Sequence, residues 1–269
     1  MKNRVSYKNL VDIFVIEIEE DDIEVNEIEG LPEEYYPEPF NIYIKIKNIY
    51  KYPDRVKEYA EACQFTNYWG VIGAAPAIRT YAPMTYEFQD VVSPVLSNIL
   101  QREFVAGIGG VDIAMFTYCD PQSIQYHRYQ EPHVDYPTRT IRDNTELSTE
   151  ARGKSIASVI YLDETFGTEI LTAKNKRISS KHLLTSDKNL MRWQGEELVS
   201  FNSNYYPEGS NSHYEHKVTI GGEYNSAVFY YGDMLHRPYF PGASAEDLKR
   251  GRLTQTMFFD DITGKEDRK

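Results

Sequence analysis

Cysteine is scarce in this chain: Cys63 and Cys119 are the two among 269 residues. They form no CxxC pair and imply no disulfide framework. Long hydrophobic runs are missing as well. The nearest, LVDIFVIEI, carries Asp12 and Glu17 and leads into an acid block. It reads neither as a secretion signal nor as the roughly 20 apolar residues of a membrane span. Basic residues are outnumbered, with 29 Lys and Arg against 41 Asp and Glu and a formal net charge of −12. That balance argues against a broad nucleic-acid surface, because phosphate binding needs clustered cations. It still allows a local basic pocket for a small anion. These absences point to a soluble protein of a reducing cytoplasm, with no membrane partner.

What the chain does have suits a globular fold. Hydrophobic residues make up 41% and aromatics 13%, with 22 tyrosines. The length fits one large domain or two small ones, and we expect a single domain over 41–262. An acidic N-terminal extension, 1–40, would pack on it, and a polar tail would occupy 263–269. The extension opens on a strand-like run from Val11 to Ile18. It continues as EEDDIEVNEIEG, whose alternation suits an edge strand with a charged outer face. LPEEYYPEPF, with three prolines, reads as a connector.

NIYIKIKNIY then alternates Ile42, Ile44 and Ile46 with polar residues, the pattern of a half-buried strand. PDRVKEYAEACQF reads as a helix with Pro53 in its first turn and Val56, Tyr59, Ala60 and Cys63 on one face. A second helix is expected from about Ser93, striped by Val91, Val95 and Ile99, with Leu96 and Leu100 beside them. Both helices look like buttresses for a sheet. From about residue 105 the texture changes to short apolar or alternating runs: VDIAMFTY, SIQYHRY, KSIASVIYL, GTEILTA, ELVSFN, NSAVFYYG and RLTQTMFF. Such a series marks a β-sandwich or barrel. Two polar segments, 137–154 and 172–195, interrupt it. Loops of that length tend to be lids, binding loops or disordered.

Two His-x-acid triplets occur, His133-Val134-Asp135 and His213-Tyr214-Glu215, and the composition alone leads one to expect about one by chance. On an extended chain residues i and i+2 point the same way, so a strand end can present both ligands. A ferrous site of two His and one carboxylate needs a third ligand from a distant strand. His236, at the end of AVFYYGDMLH, meets that need for His133 and Asp135. The rival triplet lies in the turn-like YYPEGSNSHYEHK, close in sequence to His236, and is the weaker candidate. His182, His213 and His216 are expected in exposed loops, and His127 inside a strand.

On RLTQTMFF, Arg252, Thr254 and Thr256 share one face, and Leu253, Met257 and Phe259 share the other. Alternation alone leaves the Arg face open to either side. Turned inward, the guanidinium would be a costly buried charge unless it met an anion, and it is shaped to grip a carboxylate in two parallel hydrogen bonds. The His-x-Asp and distal His favour the inward choice.

The ordered set HVD, GDMLH and RLT over residues 105–260 resembles the 2-oxoglutarate and iron(II)-dependent oxygenases. It is most similar to their prolyl-hydroxylase-like branch and related bacterial and viral members. The resemblance implies a double-stranded β-helix, or jelly-roll, core buttressed by helices. It implies iron(II) on His133, Asp135 and His236, and Arg252 with Thr254 on the distal carboxylate of 2-oxoglutarate. A tyrosine from an upstream strand would also contact this cosubstrate, with Tyr126 favoured over Tyr118. The implied reaction uses O2, releases succinate and carbon dioxide, and oxidises a substrate, with hydroxylation the expected outcome because Asp135 occupies the carboxylate position. Gly167-Thr168 resembles the family's small-residue turn, although Gly167 stands alone where many members have a pair. The Tyr-x-x-Gly element common before the metal triplet is also missing, so a prolyl substrate does not carry over. The substrate class stays open among small molecules, amino acids and protein side chains, and so does the oligomeric state. The alternative is a non-catalytic cupin-like or structural jelly roll, but the histidine-rich, Gly-rich first motif of cupins is absent.

Overall fold

The sequence pattern is realised, in a computed structural model, as two antiparallel sheets and a helical layer. The structure describes residues 12–31, 33, 36, 38–65, 78–107, 114–119, 155–173, 214–232, 234–239 and 251–263. His133, Asp135 and Tyr126 lie outside them, as do His127, His182 and His213. So do SIQYHRY, ELVSFN, the polar segment 137–154 and the part of 172–195 beyond Ala173.

The larger sheet runs β1 (Ile23–Glu27), β2 (Ile42–Ile46), β9 (Ala227–Tyr231), β6 (Ile156–Tyr161), β11 (Arg252–Asp261), β5 (Ala114–Cys119) and β3 (Ile78–Tyr81). A short β4 (Phe104–Ala106) also pairs with β11. The acidic edge strand expected in the extension is β1, paired to β2 through Ile23↔Ile46 to Glu27↔Ile42. The run before it differs from expectation. It forms a single bridge, Ile16↔Tyr50, and contributes Phe14 and Ile16 to the core as buried plugs. Phe14 packs edge-on to Tyr59 and Tyr50 and stacks near Phe116. Packing, not a ladder, holds this segment.

Both helices form where the sequence placed them. α1 (Pro53–Glu61) begins on Pro53, whose missing N–H costs nothing in a first turn, and buries Val56 and Ala60. α2 (Ser93–Leu100) follows a π-helical turn at Phe88–Val92. Its most buried line is Phe88, Val92, Leu96 and Leu100, with Val91, Val95 and Ile99 only partly buried beside it. The two helices join Phe116, Leu253, Met257 and Phe259 of the large sheet in one core cluster. Among the described residues no helix is long and apolar enough to cross a membrane.

The smaller sheet runs β10 (Leu235–Pro238), β7 (Thr165–Ala173) and β8 (Tyr214–Gly222). β8 corrects two expectations. The stretch that looked like a turn is partly a strand, and His216 sits on it, half-buried, with Nε2 2.8 Å from Thr219 Oγ1. AVFYYGDMLH also proves to contribute to two strands in different sheets, β9 of the larger and β10 of the smaller. Away from the large sheet, Arg237 and Glu169 pair directly across β10 and β7, at 1% and 0% exposure.

β7 carries a register irregularity between Thr165 and Thr168. Gly167 sits in it at φ 97°, and a Cβ there would fall 1.9 Å from the Ile220 carbonyl oxygen. Only glycine fits both the dihedral and the approach. The isolated glycine of the sequence is therefore a bulge that lets β7 close on β8.

Candidate functional site

Between the sheets lies a cavity of about 90 Å³. On the large-sheet side its wall follows the cross-strand register. Arg252 faces Cys119, Thr254 stands between Thr117 and Tyr161, and Thr256 between Met115 and Val159. Thr168, His236 and Pro238 supply the opposite side. Strand alternation assigns these positions: even-numbered residues of β11 face the cavity, while Leu253, Met257 and Phe259 face the helices.

Arg252 therefore takes the inward orientation. It is 5% exposed, and its Nη2 donates to the Gly167 carbonyl at 3.3 Å. Its guanidinium carbon lies 5.5 Å from the centre of the Tyr161 ring. Tyr161 is fixed in turn by a 2.7 Å hydrogen bond with Thr168 Oγ1. Burial pushes the Tyr161 hydroxyl above its ordinary range, against the opposing pull of the Arg252 charge and the Thr168 bond. Arg252 Nε makes no hydrogen bond among the described residues, and no carboxylate among them lines the cavity. Among the described residues this buried cation meets the Gly167 carbonyl, the Tyr161 side chain and the Cys119 thiol, none of them the carboxylate that normally offsets its desolvation. Such a group has the shape and charge to receive an anion. Thr254, two residues on, is 1% exposed, and its Oγ1 lies 3.5 Å from the Thr117 carbonyl, at the limit of a hydrogen bond.

His236 approaches from the other sheet. It is 4% exposed, and its ring stands 4.7 Å from that of Tyr230. Nδ1 donates to the Met234 carbonyl at 2.9 Å, which leaves Nε2 as the lone-pair nitrogen. That is the tautomer a metal-binding histidine needs, fixed by a backbone acceptor. His236, Arg252 and Thr254 are thus brought to one cavity. Among the described residues there is no group of three or more His, Cys, Asp or Glu able to hold a metal. The two partners expected for His236 lie outside them.

Tyr118 must be corrected. On β5 it lies opposite Leu253 of β11 and Ile78 of β3, out of phase with the cavity-lining Thr117 and Cys119, and its ring packs 6.1 Å from Phe65. It also covers Gly251, where a Cβ would fall 2.1 Å from the Tyr118 hydroxyl. Tyr118 thus shapes the entry into β11 and makes no contact in the cavity. The rival Glu215 is exposed on β8 and pairs with Lys217 at 3.0 Å, well suited to solvent and not to the cavity. Sequence reading missed Tyr161, Arg79, Thr117 and Cys119. For Thr117 and Cys119 a signal existed, since alternation along AMFTYC puts them opposite Tyr118. For Tyr161 and Arg79 the register between distant strands was needed.

A family model described as a family of unknown function (DUF6445) matches residues 38–259. The chain belongs to that family. No curated protein matches it in sequence. In structure it is similar to the non-heme alpha ketoglutarate dependent carbocyclase SnoK from nogalamycin biosynthesis, at 11% identity and a TM-score of 0.46, over 88% of this chain and 87% of the other. It is also similar to HygX from Streptomyces hygroscopicus with nickel, 2-oxoglutarate and hygromycin B bound, at 11% identity and a TM-score of 0.44, over 81% and 82%. A third is EctD from S. alaskensis with bound Fe, at 10% identity and a TM-score of 0.42, over 90% and 85%.

Proposed function

We propose that this member of the family is an iron(II)- and 2-oxoglutarate-dependent oxygenase of prolyl-hydroxylase-like type, a cytoplasmic enzyme that hydroxylates a small-molecule or peptide substrate. The observation that carries the reading is Arg252, a buried guanidinium without a carboxylate among the described cavity residues, facing the same space as a tautomer-fixed histidine. The strand order supports a double-stranded β-helix, since the chain passes from β6 in the larger sheet to β7 and β8 in the smaller, returns to β9, crosses to β10 and returns to β11.

In this reading Arg252 and Thr254 hold the distal carboxylate of 2-oxoglutarate, with Gly167 and Tyr161 keeping the guanidinium aimed at it. His236 joins His133 and Asp135 as a metal ligand, and the Met234 carbonyl holds its ring in place. When bound, iron(II) supplies the oxygen chemistry that couples substrate oxidation to conversion of 2-oxoglutarate into succinate and carbon dioxide. Met115, Val159 and Phe258 give the cavity apolar wall that excludes water around the charged grip.

Anaerobic titration with iron(II) and 2-oxoglutarate tests the reading. The expected result is a weak visible metal-to-ligand charge-transfer band, abolished in His133→Ala. Arg252→Ala should weaken 2-oxoglutarate binding and spare much of the iron affinity. A folded protein that shows no band, and forms no succinate once oxygen is admitted, would overturn it.

A further inference from the structure

A second arginine–threonine pair faces the same cavity. Arg79 on β3 stands directly across from Thr117 on β5, and Thr117 directly across from Thr254 on β11. All three line the cavity beside Arg252. Thr117 is 6% exposed, and its Oγ1 makes no hydrogen bond among the described residues. A buried hydroxyl without a partner is costly, and it marks a place where a ligand atom completes the structure. Cys119 shares this wall: burial pushes its thiol up, while the charges of Arg252 and Arg79 both pull it down. Both guanidiniums therefore act on the same small volume, and their chemistry is repeated, a planar cation with a hydroxyl beside it.

We propose that Arg79 and Thr117 form a second anion subsite, and that the substrate to be oxidised is a small molecule whose carboxylate or phosphate this pair receives. The inference rests on the oxygenase reading, in which the cosubstrate already occupies Arg252 and Thr254. Arg79 supplies the charge, Thr117 the oriented donor, and together they turn the substrate's reactive end toward the His236 side of the cavity.

The test uses the full chain loaded with manganese(II) and saturating 2-oxoglutarate, titrated calorimetrically with acetate and, separately, with inorganic phosphate. Saturable binding of either probe is expected, and the tighter one tells a carboxylate from a phosphate substrate. Arg79→Gln and Thr117→Val should each weaken that binding about tenfold, as loss of a charge-assisted hydrogen bond does. Thr117→Ser should restore it. Cosubstrate affinity, measured without the probe, should stay within about threefold in all three variants. The subsite is overturned if neither probe saturates the wild-type protein, or if the variants leave probe binding untouched. It is overturned equally if Arg79→Gln weakens 2-oxoglutarate as much as the probe, which would make Arg79 part of the cosubstrate grip. Arg79-dependent probe binding in a protein that takes no 2-oxoglutarate would sink the oxygenase reading and keep the subsite.

Discussion

Along β11, Leu253, Met257 and Phe259 meet the helical layer, while Arg252, Thr254 and Thr256 meet the cavity between the sheets. Leu253 and Met257 are as deeply buried as Arg252 and Thr254. What differs is the surface opposite. The helices offer a complementary apolar face, and the cavity offers space flanked by polar groups. Burial on the first side stabilises the fold; burial on the second holds a guanidinium that no carboxylate among the described cavity residues meets. Exclusion of solvent alone does not tell a core from a site.

The largest test of this contrast is Phe259→Ala. Its ring is fully buried and lies 5.9 Å from that of Phe229. Its loss should cost about 3–5 kcal/mol in denaturant unfolding and leave 2-oxoglutarate affinity nearly unchanged. A shift in affinity as large as the shift in stability would mean that the two faces are not independent. Gly167→Ala comes next, because it should injure both. The dihedral alone costs about 1–3 kcal/mol, the clash with Ile220 adds to it, and displacement of the Gly167 carbonyl should loosen Arg252.

A smaller effect is expected from Tyr50→Phe. Tyr50 donates to Gln255 Oε1 at 2.7 Å on the helix-facing side, and its loss should cost about 1–3 kcal/mol with normal ligand binding. The smallest change in unliganded stability is predicted for Arg252→Met. Removing a buried cation that meets no carboxylate among the described residues should leave the melting temperature unchanged or raise it, while abolishing the stabilisation expected from 2-oxoglutarate. A marked drop in melting temperature without ligand would show that Arg252 is part of the ordinary structural core.

How much of this was legible follows from the range of each interaction. β2, α1, α2 and the two faces of β11 depend on local periodicity, and their residues could be placed from the chain alone. The split of AVFYYGDMLH was not legible, since Met234 and Leu235 continue the apolar character of β9 and only the pairing partners tell the two strands apart. β8 was hidden because YEHKVTIGG holds few apolar residues and its start resembles a turn. The inward choice for Arg252 needed a second clue, the distal histidine, since alternation is symmetric between faces. Tyr118 failed for the same reason: the tyrosine was on the correct strand, one residue out of phase with the cavity. Tyr161 and Arg79 became visible only when strands far apart in sequence were laid side by side.

β11 is the hub of the larger sheet, yet each strand it pairs with precedes it by a long stretch of chain. Ser158 Oγ donates to the Met257 carbonyl and Thr254 Oγ1 to the Thr117 carbonyl, across 99 and 137 residues of chain. Such ladders incur their entropic cost before they return any contact energy, so they form slowly and late. Arg252 and Thr254 reach Cys119, Thr117 and Tyr161 only when that ladder closes. In a partly folded chain the proposed anion grip is therefore not yet assembled, and ligand capture would report completed folding of the central strand.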